Sequence, residues 1–401
     1  MPQWNPLSVA LTSQILLRLM LGLGAIALIR DTMENGHDFT VFWNAARAVL
    51  HGEPLYSLER DGGMVYKYPP WSIPLFFPFA ALPLQSAKLV WGLLEVASLA
   101  WVIRWIQRFT TTRTPTLFIV VVTYWGLWAV HALDGQVVLL LLAGALWSWS
   151  PDGFEKSRIR SGLLVFLLST KIFTLLPLVS FRLRKKNRRT LLLIGLALVT
   201  LSTPAWLTQG EKPSLLEAWS RAATSGGALL TSEQIRGRHN PSLTRWVLSH
   251  LHVPAEKAAL DSAVACALAL VLGFVWSKAS ARMKPFEAWI GWLALTPVIH
   301  PLPWWHLFIF SFPLAAVSLE ACLPTRGSKR SWGALTCVGL GIFLICGATE
   351  KLLGPLGVFL EQECAKSWGV LLCAGMLALQ ASWREPALEV AVCTEGVDSK
   401  A

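Results

Sequence analysis

Apolar stretches recur along the whole of this 401-residue chain and are separated by short polar connections. A helix that crosses a bilayer needs about 20 mainly apolar residues, within a range of roughly 17 to 25. The pattern therefore predicts an all-α polytopic membrane protein, with about ten spans in a single domain over residues 1–384. The predicted spans cover residues 7–30, 85–106, 115–131, 135–150, 190–207, 257–277, 286–299, 305–322, 331–348 and 367–383.

Composition supports a membrane protein. Hydrophobic residues make up 54% of the chain and charged residues 15%, whereas a soluble protein has about 25% charged residues. The 21 Trp fit the same class, because indole rings favour the headgroup region. The first 30 residues have no basic n-region and no cleavage site of small residues, so we expect a retained span and not a signal peptide.

Basic residues indicate the orientation of the chain. They cluster after the predicted spans that end at residues 106, 150, 277 and 322. All four clusters lie on one side of the membrane if both termini are cytoplasmic, as the positive-inside rule requires. The formal net charge of +11 then follows from topology, and it does not indicate a nucleic-acid partner.

The segment 161–182 breaks this alternation, because basic clusters flank both of its ends. A single crossing would place one cluster outside, so the positive-inside rule favours a re-entrant hairpin with Lys171 near its apex. A charge at that depth is tolerated where it lines a cavity. The alternative is an ordinary span in which Lys171 extends to the membrane surface.

This topology places two large connections, residues 31–84 and 208–256, on the outer face, and a tail, residues 385–401, in the cytoplasm. In the first connection, Phe39 and Phe42 belong to an apolar set at helical spacing, which predicts an amphipathic helix in the interface plane. Asp38 stands at its start, where a carboxylate can cap free N–H groups. The proline-rich run after Tyr66 predicts a short helix that dips into the outer leaflet, with Pro70 in its first turn.

Other polar positions on the outer face give weaker indications. Asp134 and Gln136 precede an apolar run, where Asp134 is a plausible helix cap. His300 and His306 lie in the turn HPLPWWH and do not have a recognised metal-ligand spacing. The seven Cys lack CxxC spacing and lie mostly in apolar segments, so we expect them to serve packing. The chain also lacks GxxxxGK[ST], HExxH and GxSxG.

The stretch DFTVFWNAARAVLHGEPLY at 38–56, followed by YKYPP at 66–70, resembles the N-terminal signature of glycosyltransferase family 87. This family comprises membrane enzymes that use polyprenyl-phosphate sugars, and it includes polyprenol-phosphate-mannose-dependent α-mannosyltransferases. Further segments resemble family motifs in the family's order, over residues 10–320. They are DGQVVLLLL, STKIFTLLPL, HNPSL and TPVIHPLPWWH. Two features depart from the family pattern: Pro241 stands where Gln is commoner, and the spacing from Pro297 to Trp305 is long.

The resemblance implies a GT-C fold and transfer of a hexose or pentose, mannose-like, from a lipid-linked donor to a lipid or glycan acceptor. The reaction would occur on the extracytoplasmic face of a bacterial-type inner membrane. No resident cofactor is expected, and the resemblance does not imply an invariant metal. It implies that Asp38 is the catalytic base. We expect Lys171 to bind the donor phosphate, assisted by Arg47 or by either His300 or His306. Candidates for contacts with the sugar or acceptor are Gln136, Asn240 and Tyr68.

Two other classes of function are compatible with the residues alone. A transporter or flippase of a lipid-linked sugar would use Lys171 in a broken helix as a mid-membrane substrate site. That class predicts paired broken helices in two related halves, whereas the sequence indicates one broken hairpin and no second copy. A non-catalytic scaffold of the cell envelope is the third possibility, and an activity assay would distinguish it.

Overall fold

The computed structural model describes residues 6–57, 60, 64–149, 170–171, 188–210, 213–224, 240–251, 258–300, 303–323 and 330–383. Every regular element within these ranges is a helix. The longer helices are α1 (Pro6–Glu34), α2 (His37–Leu50), α4 (Leu84–Phe109), α5 (Thr114–Thr123), α6 (Trp125–Asp134), α7 (Val138–Ser148), α8 (Arg188–Gln209), α9 (Leu215–Thr224), α10 (Leu243–His250), α11 (Ala258–Ala279), α12 (Pro285–Ile299), α13 (Phe312–Cys322), α14 (Arg330–Cys346), α16 (Pro355–Gln362) and α17 (Ala365–Trp383). Two short helices are α3 (Phe77–Ala80) and α15 (Glu350–Leu353), and 3₁₀ turns cover Pro70–Phe76, Ser280–Arg282 and Trp305–Ser311.

Each predicted span coincides with helical structure, which confirms an all-α membrane protein. Among the described residues, 4 helices are long and apolar enough to cross a membrane, or up to 6 if two bent pairs each count as one span. Several of the remaining helices are shorter than the roughly 20 residues that a straight span needs. The count of about ten spans therefore stays a prediction.

A bent pair of helices carries part of the site. Helices α5 and α6 meet at an angle of 52°, and α6 ends at Asp134 with Gly135 as a left-handed cap (φ 67°). The next helix, α7, has Val137 as its N-cap. The prediction that Asp134 caps this next helix is wrong, because the residue closes the preceding helix.

Helix α2 follows α1 almost directly. Its N-cap is Gly36 at φ 50°, without a capping side chain, and Asp38 is the second residue of its first turn. The cap proposed for Asp38 is therefore not formed. The apolar face of α2 packs on protein, since the Trp43 Nε1–H donates to the carbonyl of Phe79 at 3.1 Å and the Phe39 ring stacks on Trp91 at 5.0 Å.

The proline-rich run forms a 3₁₀ turn, Pro70–Phe76, that continues into α3. Pro70 occupies the first helical position, as predicted. Ile73 and Phe76 are fully buried, and the Phe76 ring lies 4.7 Å from that of Phe42. The run is thus a packed neighbour of α2, and protein covers these side chains.

Some predicted features lie outside the described residues. They include the hairpin 161–182 except for Thr170 and Lys171, residues 225–239 of the second outer connection, and the tail 385–401.

Candidate active site

Two glycines bring the start of α2 against the end of α6. Gly36 and Gly135 both have positive φ, at 50° and 67°. A Cβ on Gly135 would lie 2.8 Å from the Phe39 Cβ and 3.2 Å from the Gly36 Cα. Only glycine fits such a left-handed, crowded position without strain. The backbone approach places Asp38 beside Gln136.

Gln136 links the carboxylate to a lysine. Its Nε2–H donates to Asp38 Oδ2, and its Oε1 accepts from Lys171 Nζ at 2.9 Å and from the Tyr68 hydroxyl at 3.1 Å. The Lys171 ammonium also lies 5.3 Å from the centre of the Tyr68 ring, a cation–π distance. Asp38, Tyr68, Gln136 and Lys171 therefore form one hydrogen-bonded cluster, which we call the base–lysine cluster.

His306 extends the base–lysine cluster on the lysine side. Its Nε2 lies 3.4 Å from Lys171 Nζ, and its Nδ1 lies 3.6 Å from Asp134 Oδ2. A carboxylate at Nδ1 favours the tautomer that protonates this nitrogen, so Nε2 is left as the acceptor for the ammonium group. Lys171 thus lies between two side-chain acceptors, on Gln136 and on His306.

The environment changes the acidity of Asp38. Burial and, after it, the negative charge of Asp134 raise the pKa of Asp38 to about 6. The positive charges of Lys171, Lys67 and His37 act in the opposite direction on this pKa. A carboxyl group with a pKa near 6 is ionised at neutral pH and is more basic than an ordinary aspartate.

Three other residues were predicted to belong to the site: His300, Arg47 and Asn240. His300 is 9% exposed and interacts electrostatically with Lys171 and His306, so it belongs to the same region. Arg47 lies nine residues after Asp38 on α2, about 14 Å along the axis and half a turn around it; its guanidinium lies over Trp43 at 4.7 Å. The Asn240 carboxamide oxygen accepts from the Ser242 N–H at 3.0 Å, as in an Asx turn before α10.

The comparison with protein families decides the identity of the chain. The profile of "Glycosyltransferase family 87" matches residues 66–301, which is more than half of the chain. The chain belongs to glycosyltransferase family 87. Comparisons with curated proteins and with solved structures found no match.

This family 87 membership confirms the resemblance and makes the chain a membrane glycosyltransferase. The matched range begins at Tyr66, inside YKYPP, and includes Tyr68, Gln136, Lys171, Asn240 and His300. It leaves Asp38 and His306 outside. The geometry of the base–lysine cluster is therefore an independent reason to consider these two residues.

Sequence reasoning missed three parts of this candidate site. Asp134 was read as a cap, although its carboxylate faces His306. Lys67 was not considered, although its charge acts on Asp38. A buried pair, Glu95 and His131, lies behind His306, with the His131 and His306 ring centres 6.5 Å apart. An ionisable residue inside a predicted span is a signal that could have found Glu95.

The arrangement is suited to acid–base and electrostatic chemistry. It combines a carboxylate of raised pKa with an ammonium group a short distance away, and both are joined to neutral side chains that a substrate could displace. Among the described residues, no group of three His, Cys, Asp or Glu side chains could hold a metal ion.

Proposed function

We propose that the protein transfers a sugar from a polyprenyl-phosphate sugar to a hydroxyl group of a lipid or glycan acceptor, on the extracytoplasmic face. The observation that carries the proposal is the link through Gln136 between Asp38 and Lys171. It sets a base and a cation on two sides of one site, as transfer from a phosphate leaving group requires.

Asp38 is the proposed base. As the acceptor oxygen forms a bond to the anomeric carbon of the donor, its proton moves to the Asp38 carboxylate. The bond from the anomeric carbon to the phosphate oxygen breaks, and its electron pair leaves with polyprenyl phosphate. The pKa of about 6 supports this role, because a general base works best when its pKa lies near the operating pH.

Lys171 is the proposed partner of the leaving phosphate. Its ammonium bonds to the Gln136 oxygen and faces His306 Nε2, two neutral acceptors that phosphate oxygens can replace. A cation aimed at developing negative charge in a site with little water is usually the largest catalytic contribution. His306 and His300 lie next to Lys171 and would complete the phosphate site, and Lys67 adds positive charge beside Asp38.

The membrane setting suits a lipid-linked donor. The candidate spans make this a multi-pass protein, and the basic clusters favour cytoplasmic termini with the site on the outer side. We propose a GT-C arrangement in a bacterial-type inner membrane, with a mannose-like hexose or a pentose as the transferred sugar. Gln136 and Tyr68 would contact sugar or acceptor hydroxyls once the substrate has displaced their present partners.

The decisive experiment incubates purified protein with a panel of polyprenyl-phosphate sugars and acceptors and measures released polyprenyl phosphate. Asp38→Asn should reduce kcat by about 10² to 10⁴, the usual contribution of general-base catalysis. The melting temperature should change little. Asp31→Asn is the matched control, because the Asp31 carboxylate bonds to Arg30 at 3.0 Å near the end of α1; it should retain wild-type turnover.

Near-normal turnover in Asp38→Asn would contradict the assignment of the base. Failure of the wild-type protein to release polyprenyl phosphate from any donor would contradict the proposed reaction. If the wild-type protein instead moved a lipid-linked sugar across a vesicle membrane, the transporter alternative would replace the proposed reaction.

A further inference from the structure

A buried acid–histidine pair lies behind the base–lysine cluster. Glu95 on α4 and His131 on α6 are each 2% exposed, and the Glu95 Oε1 lies 3.0 Å from the His131 Nε2. Glu95 belongs to the candidate span Leu84–Phe109. An ionisable side chain within a span is costly and usually serves a function.

One side of this pair reaches the residues around Asp38. Glu95 interacts with the side chains of Trp91 and Thr32, in addition to His131. The Trp91 ring stacks on Phe39, the neighbour of Asp38, with ring centres 5.0 Å apart. The Thr32 carbonyl packs directly against Gly36, only 2.5 Å from where a Cβ would stand. Glu95 is therefore linked to the first turn of α2 indirectly, through Trp91 on α4 and Thr32 on α1.

The other side of the pair supports the segment that carries Gln136. The main-chain carbonyl of His131 accepts from the N–H of Gly135 at 2.9 Å and from that of Gln136 at 3.2 Å. The His131 ring stands edge-on to His306. A displacement of the His131 main chain would therefore move the last turn of α6, and with it Asp134 and Gln136.

We propose that Glu95 and His131 are positioning residues of the active site. They hold the last turn of α6 against α4 and α1, so that Gln136 faces Asp38 and Asp134 faces His306. The kinetic part of this inference rests on the proposed glycosyl transfer. A contact that only stabilised the helix bundle would affect folding without affecting this geometry.

The kinetic test compares Glu95→Leu with Glu95→Gln. Because a displacement of about 1 Å in a catalytic group can cost 10²-fold, Glu95→Leu should lower kcat by about 10- to 100-fold with little change in the donor KM. Glu95→Gln should recover most of the rate, since an amide can still bond to the His131 ring. Equal rates in the two variants would contradict the proposal.

The matched control is Glu320→Leu. Glu320 joins α13 to the start of α5 through Arg113 Nε at 2.6 Å and the Thr116 hydroxyl at 2.6 Å. It thus contacts the same bent helix pair as His131, at the opposite end. When Glu320→Leu and Glu95→Leu lower the melting temperature by the same amount, Glu320→Leu should still leave kcat within about twofold of wild type.

A second readout does not depend on turnover. Cysteines replace Asp38 and Gln136, and a short bifunctional thiol reagent cross-links them. The single-cysteine variants show the background from the seven natural cysteines. Adding Glu95→Leu should slow the cross-link about tenfold, whereas adding Glu320→Leu should not. If Glu95→Leu does not fold, His131→Asn replaces it in both experiments with the same expected results.

An unchanged cross-linking rate with Glu95→Leu would overturn the positioning role, as would an equal loss of kcat in Glu95→Leu and Glu320→Leu. If the wild-type protein transfers no sugar, the proposed function fails while the cross-link still decides whether the pair positions Gln136.

Discussion

Two regions of this protein bury several polar and charged groups, but they bond them differently. In the base–lysine cluster, side chains bond to side chains, from Asp38 through Gln136 to Lys171. In the second region, residues 361–368 with the adjoining Arg245, which we call the C-terminal elbow, the buried cations bond mainly to main-chain carbonyls. Arg245 donates to the carbonyl of Glu361 at 2.6 Å, Lys366 to that of Ile345 at 2.7 Å, and Ser367 to that of Pro241 at 2.6 Å.

The difference supports Lys171, and not the buried cations of the C-terminal elbow, as the charge that takes part in the proposed chemistry. A main-chain carbonyl is an obligatory acceptor, and losing its partner in a buried place is costly. The C-terminal elbow therefore has partners that a substrate cannot easily replace. The cluster around Lys171 uses neutral side-chain acceptors, which can rotate away when a phosphate arrives. Burial of a charge indicates function only together with the kind of partner it has.

The largest expected effect on this comparison is a loss of kcat, tested by replacing one lysine in each region. Lys171→Met should reduce kcat by about 10² to 10³, because it removes the charge that we propose faces the leaving phosphate. Lys366→Met removes a buried lysine that bonds to a carbonyl, and it should lower the melting temperature with less than about tenfold loss of kcat. Assays of released polyprenyl phosphate and thermal melts measure both. Equal kinetic losses would mean that the partner type does not distinguish the regions.

The next effect is on stability and concerns the C-terminal elbow. Arg245→Met leaves the carbonyls of Glu361 and Gln362 without their buried donor. We expect the free energy of unfolding to fall by about 2 to 3 kcal/mol, with kcat within about threefold. Denaturation in detergent measures it. Arg47→Met, at an exposed site on α2, is the control and should change stability little.

A smaller effect should follow from changing the close approach of α2 and α6. Gly135→Ala introduces a Cβ 2.8 Å from that of Phe39 at a positive φ, and we expect about a tenfold loss of kcat. Gly52→Ala is the matched control: its φ is 80°, and open space surrounds its Cβ position. It has similar strain without the clash, so its kcat should stay within about twofold. Similar losses in both variants would show that strain, and not displacement of Asp38, causes the effect.

The smallest effect is a shift in pH dependence. Asp38, the proposed base, can accept a proton only when ionised, so kcat/KM should fall as pH drops below about 6, the pKa of this carboxyl. Asp134 raises that pKa through its negative charge. Asp134→Asn should therefore move the acidic limb of the pH profile to lower pH. An upward shift would contradict this electrostatic account.

Helix positions could be predicted from the sequence because apolar runs of span length leave few other structures. Predicted segments such as 85–106 coincide with helices such as Leu84–Phe109. The bends were missed, since hydropathy reports where a span lies and not its direction. The 52° angle between α5 and α6 therefore had no counterpart in the pattern.

Site residues that lie in recognisable motifs could be predicted from the sequence. Residues that reach the site only through packing could not. Asp38, Gln136, Lys171 and His306 came from ordered motifs, and the structure brings them together. Arg47 was expected to assist Lys171, but its position nine residues after Asp38 places it on the opposite face of α2. Asp134 was read as a local cap because its partner, His306, is distant in the chain.

The composition of the base–lysine cluster also has a consequence for biosynthesis. Its members at positions 38, 68, 136 and 171, and the adjoining His306, lie on segments that leave the ribosome at very different times. Domains form as units while synthesis proceeds from the N-terminus. We expect a chain interrupted before His306 to hold its Asp38 without a completed phosphate site. A truncated product would then be unable to cleave a lipid-linked sugar wastefully, and activity would begin only after most of the protein has entered the membrane.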